Sequence, residues 1–228
     1  MDPNSLRSHN PFLPPLETVA AEIRPNVDAA IELVPILAVS LMEFARYYGG
    51  VLVNQYNKRT SESNSQYLVL CIFDAQLSQL FGYFQQAVQD DTVASNLAGA
   101  VMYQALGKTP HCDDQSIFLG LSYKLRGLEK YGVVARIFPS AREPVGATFG
   151  REFAQLIYGR TSGEVVMLGM SKLMAIGLYT EANIRGILFG EEFTAEDRAR
   201  VEALCADHDQ KANREIQEFR RRNPTTGL

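Results

Sequence analysis

The chain has 228 residues, 46% of them hydrophobic and 21% charged, with a formal net charge of −4. That is ordinary globular usage at a length sufficient for a substantial core, and it excludes global disorder. Three cysteines are too few and too odd in number for a disulfide scaffold; they point to a reducing, cytoplasmic setting. No apolar run approaches the ~20 residues of a membrane span, so no membrane association is expected.

The opening MDPNSLRS resembles a translated cloning linker rather than part of a fold. Pro3, Pro11, Pro14 and Pro15 lie where a signal peptide would need its apolar stretch, and they predict an extended, flexible arm over residues 1–14. Phe12, Leu13 and Leu16 give that arm apolar side chains in want of a pocket.

A short helix over 16–24 is expected to stop at Pro25, and a second to break before Pro35, which suits a first turn better than a helix interior. Residues 36–48 form an apolar, aromatic helix, with Gly49-Gly50 as its break. After the polar loop 59–65, residues 65–89 carry Phe73, Leu77, Leu80, Phe81, Phe84 and Val88 at spacings of three and four, the helical period. The segment YLVLCIF within it is apolar on every side, which suits central burial; a short strand is the alternative. Asp74 is the one charge in that apolar stretch and would be a candidate functional carboxylate if buried.

Residues 92–106 are rich in Ala, Ser and Gly and predict a helix that approaches its neighbours closely. Gly107-Lys108-Thr109 is no phosphate-binding loop, because Met102 stands where that loop requires glycine. Asp113 or Asp114 can cap a helix running to about Tyr131, and residues 132–147 read as a long connection that could include a strand at 133–138. Helices are expected again over 149–158 and 163–189. Thr194 opens the last one, with Asp197 three residues on as a capping partner, and Arg220, Arg221 and Arg222 stand where the helix dipole favours positive charge. Residues 223–228 are expected to be a disordered tail. The predicted architecture is all-α: one globular bundle of about 7–9 helices over 15–222, with an extended arm before it and a long C-terminal helix closing it.

No motif prescribes a catalytic mechanism, and no cofactor is expected. Cys205 and His208 share a helix face, and His111 and Cys112 could supply further ligands. Paired C-x-x-C ligands are missing and adjacent residues seldom both bind one ion, so no metal site is assigned. Cys112 between His111 and Asp113 has nucleophile, base and acid types, but sequence neighbours rarely form that geometry.

Two features point to function. The first is charge asymmetry: residues 120–189 carry 9 basic and 5 acidic side chains between acidic flanks. Lys124, Arg126, Lys130, Arg136, Arg142, Arg151 and Arg160 can neutralise phosphates, while Tyr123 and Tyr131 can stack on unpaired bases, which suits single-stranded nucleic acid. The second is the final helix, whose sparse apolar stripe includes Val201, Leu204, Ile216 and Phe219. A helix so charged elsewhere usually lies along a surface or docks on a partner. With the arm, it predicts a non-enzymatic homo-oligomer similar in general plan to helical nucleocapsid or filament coat proteins, an analogy of architecture alone. The alternative is a binding module for a protein or small apolar ligand, with Gly163, Gly169, Gly177, Met167, Met170 and Met174 lining a pliable cavity.

Overall fold

A computed structural model of the chain describes residues 3–55, 62–107 and 163–222. Among them are six α-helices and no strand: α1 (Pro3–His9), α2 (Arg24–Gln55), α3 (Glu62–Val88), α4 (Asp91–Gly107), α5 (Gly163–Phe189) and α6 (Ala195–Arg222). The segment YLVLCIF is helical, as its burial suggested, and the strand alternative is discarded. The expected helix running to about Tyr131, the one at 149–158 and the connection between them lie outside the described residues.

Helix α2 corrects two expectations. It runs unbroken for 32 residues, about 48 Å at 1.5 Å per residue. Pro25 sits in its first turn, where a backbone N–H has no intrahelical acceptor to lose. Pro35 lies in the interior and forfeits a hydrogen bond, a cost of about 3 kcal/mol. Around it Ile31, Val34, Leu37 and Leu41 are almost wholly buried, and each large apolar side chain contributes roughly 1.5–3 kcal/mol, so tertiary burial outweighs the local penalty. The Gly49-Gly50 pair does not break the helix either. A Cβ on Gly49 would meet Val69 Cγ2 at 3.1 Å, so this glycine serves the close approach of α3.

Helices α2, α3 and α4 pack on one another around one core rich in Leu, Ile and Phe. Asn26 Nδ2 donates to the Ala87 carbonyl at 2.9 Å, tying the start of α2 to the end of α3, so the two run antiparallel. At the next turn Gln89 takes φ 53°, and Asp90 Oδ1 accepts the Val93 N–H at 3.0 Å to cap α4. Helix α5 lies against α2 and α3, and α6 packs on α5.

The expected extended arm is likewise corrected. Pro3 occupies a helix start, Leu6 is buried, and Arg7 reaches Asp28 at 2.6 Å. Asn10 is buried and donates to the Ala100 carbonyl at 2.9 Å while its own side-chain oxygen holds the Phe12 N–H at 3.1 Å. That bracket turns Phe12 onto α4, where its ring stands 6.0 Å from that of Tyr103. A Cβ on Gly99 would lie 2.8 Å from Phe12 Cδ1, so the small-residue helix α4 makes its closest approach to this ring. Leu13 is buried beside it. The stretch resembling a linker is thus part of the packed body, because Leu6 and Arg7 have partners there.

Candidate assembly surface on the last helical hairpin

Local sequence explains why α5 and α6 form a hairpin. Helix α5 ends at Phe189, and Gly190 follows with φ +66°, the left-handed conformation that closes a helix, its N–H donating to the Gly186 carbonyl at 3.1 Å. Helix α6 opens with the expected reciprocal cap: the Asp197 N–H donates to Thr194 Oγ1 and the Thr194 N–H to Asp197 Oδ2, both at 3.1 Å. The Thr194 hydrogen bonds hold the Asp197 carboxyl below the usual carboxylate range.

Deeper along the hairpin, α6 is fastened by charge. Lys172 on α5 is 4% exposed, and its ammonium donates to Asp209 Oδ2 at 2.5 Å; Ser171 Oγ donates to the other carboxylate oxygen at 2.8 Å. A charge removed from water needs such a partner. Cys205, one turn before Asp209, is half-buried, and burial, then the nearby carboxylate, pushes its thiol pKa up. Tyr48 of α2 closes this region, stacked on Phe44 with ring centroids 5.6 Å apart; burial first, then Cys205 and Asp209, raises its phenol well above 10. Below the clasp, Ala212 and Ile216 bury the inward stripe of α6.

Toward the turn the two helices splay around a groove of about 370 Å³. Leu178, Val201 and Leu204 supply its apolar surface. Its rim carries Glu181, Glu191, Glu192 and Asp197 against Arg185 and Arg200, an excess of two negative charges. Arg185 is already engaged, gripping both oxygens of Glu191 at 2.7 Å, which lowers the Glu191 carboxyl pKa. A second hollow of about 310 Å³ shares Phe193 with the first and is lined by Phe44, Tyr179 and Ile187.

The residues expected to mediate assembly therefore divide. Phe12 and Leu13 are packed on their own subunit, and Leu16 lies partly exposed in a 3-10 turn (Leu16–Thr18). Ile216 is in the core. Val201 and Leu204 line the groove, Leu204 being 40% exposed, and Phe219 is equally exposed near the far end of α6. The proposed phosphate-binding residues Lys124 to Arg160, with Tyr123 and Tyr131, lie outside the described residues, as do His111 and Cys112 and the side chains of Asp74 and His208. No group of three or more His, Cys, Asp or Glu among the described residues is placed to hold a metal ion. Nor is any described helix long and apolar enough to cross a membrane. Of the residues expected to line a methionine-rich cavity, Met174 is exposed and Gly177 faces Gln79, while the side chains of Met167 and Met170 lie outside the described residues.

Sequence reasoning missed one surface. Ile36, Val39, Tyr47 and Val51 form an exposed apolar stripe on α2, Tyr47 being 71% exposed. Their spacing of three, eight and four was a legible signal for a single helix face. The clasp was legible too, since Lys172 is the one cation in a long apolar run.

No family model matches the chain, and no match to it is found among the curated proteins or the solved structures.

Proposed function

We propose that this is a non-enzymatic, self-assembling helical protein that presents its basic central segment to single-stranded nucleic acid. The observation that carries the reading is the α5–α6 hairpin. Helix α6 packs on α5, carries charge over most of its surface, and leaves Leu204 substantially exposed at the groove. Solvated helices rarely keep large apolar groups exposed around a groove without a partner. The arm has no part in this version, because its apolar side chains are packed on the body. The nucleic-acid element rests on the sequence of residues 120–160, where cations alternate with aromatic rings.

The test is sizing of the purified protein at several concentrations while recording its 260/280 nm absorbance ratio, followed by titration with single-stranded RNA and DNA at low and moderate salt. Concentration-dependent growth and a salt-sensitive shift with nucleic acid are expected. A monomer at every concentration, indifferent to both nucleic acids, refutes the proposal. A binding module for a small apolar ligand is the second reading, favoured by the hollow between Phe44, Tyr179 and Phe193. Native mass spectrometry showing a retained small molecule on a monomer supports that reading instead.

A further inference from the structure

The exposed apolar stripe of α2 carries charge at its middle. Ile36 and Val39 come first, then Glu43 and Arg46, then Tyr47 and Val51, all six exposed. At 100° per residue they fall within an arc of about 140° and extend over about 22 Å of the helix axis. The order of apolar, charged and apolar is the same from either end. Neither Glu43 nor Arg46 has a hydrogen-bond or ion-pair partner among the described residues.

The face also has a knob and a hollow. Tyr47 is its most exposed side chain. A hollow of about 200 Å³ lies at its flank, lined by Val39, Met42, Glu43 and Arg46 of α2 and by Gln104 and Ala105 of α4. Tyr47 does not line that hollow. Gly50, on the same face, has open space around it, so a second helix can come close there.

We infer that this face of α2 pairs with the same face of a second copy of the chain, the two helices antiparallel about a two-fold axis between Glu43 and Arg46. Glu43 then faces the partner's Arg46, and Arg46 the partner's Glu43. Tyr47 enters the partner's hollow, Val39 reaches the partner's Gly50, and Ile36 packs near the partner's Val51. A parallel pairing would set Glu43 against the partner's Glu43, so charge selects the antiparallel one. The inference rests on the self-assembly reading and gives it a contact separate from the hairpin groove. Such a contact is isologous and stops at two copies; larger assemblies need a further surface. One helix face is small for a stable interface, so the dimer forms only as concentration rises.

Exchange of the two charges tests the pairing. One variant carries Glu43→Arg, a second Arg46→Glu, and a third both substitutions. Both positions are exposed, and circular dichroism checks that each variant keeps its helices. Sedimentation velocity of nuclease-treated protein over a range of concentrations is expected to show the native chain reaching at least twice its 25.4 kDa monomer mass. Each single variant is expected to self-associate at least about tenfold more weakly, since like charges then face each other twice. The double variant is expected to associate again, because each new arginine meets the partner's new glutamate. An equal mixture of the two single variants is expected to do so too. Native-like association of either single variant, or a double variant as weak as the single ones, overturns the inference while leaving self-assembly standing. A native chain that stays monomeric at every concentration overturns both.

Discussion

Asp209 holds the ammonium of Lys172 at 2.5 Å, and through that pair α6 is pinned to α5 across the hairpin. Lys172 is nearly inaccessible while Asp209 keeps about a third of its side-chain surface in water, so the two partners are not equivalent. Removing the acid strands a buried charge; removing the base leaves a carboxylate that water can still reach.

Asp209→Ala is therefore expected to destabilise the protein by about 1–3 kcal/mol, a range set by loss of hydrogen bonds to a charged group with part of the site solvated. Lys172→Met is expected to cost clearly less, because the thioether fills the same apolar slot and needs no counter-charge. Urea midpoints of the two variants rank them. Equal loss in both contradicts this view of the clasp.

Gly99→Ala places a methyl group where Phe12 Cδ1 stands 2.8 Å away. The ring has to shift, at about 1–3 kcal/mol for an overpacked site. Phe12→Ala alone also destabilises, by losing ring contacts with α4. In the double variant the added methyl meets no ring, so the two costs fall well short of additivity. Thermal unfolding of the four proteins completes the cycle.

Gly190 has open space around it, so a side chain there meets no neighbour; the obstacle is its φ of +66°. Gly190→Ala is expected to cost about 1–2 kcal/mol of backbone strain, and Gly190→Asn less, since asparagine visits the left-handed region more readily. Gly50→Ala, also in open space but inside α2, is expected to leave stability unchanged or raise it by up to about 1 kcal/mol. The contrast between the two glycines is read from denaturant curves.

The half-buried phenol of Tyr48 makes stability fall in alkali. Its pKa in the folded protein lies above the unfolded value near 10, so the native state keeps a proton that the unfolded chain releases. The corresponding stability is intact below pH 10 and is lost as pH rises beyond it, with a slope of up to about 1.4 kcal/mol per pH unit for one such group. Tyr83 and Tyr179 shift in the same direction. Tyr48→Phe is expected to flatten the decline between pH 10 and 11.5, measured by urea unfolding across that range. At the acid end, Asp197 and Glu191 shift downward, so their contribution is lost as pH falls below 4. Faster amide exchange over residues 191–198 at pH 3 than at pH 6, after correction for intrinsic rates, reports that loss.

What could be read from the chain alone was the set of elements governed by short-range rules. The three-and-four spacing of Phe73, Leu77, Leu80 and Phe84 specified α3; the Thr194–Asp197 pair specified the start of α6; and the all-helical class follows from such periods. Three other outcomes were decided by the tertiary structure. Pro35 is accommodated because distant helices bury the residues around it. Asn10 turns the arm onto α4 because a carbonyl ninety positions away accepts its hydrogen bond. The apolar stripe of α6 divides into a buried Ile216, a groove at Leu204 and an exposed Phe219 because α5 covers only part of it. Periodicity states which side chains share a face. Which faces meet depends on contacts between segments far apart in the chain, and local pattern carries no information on those.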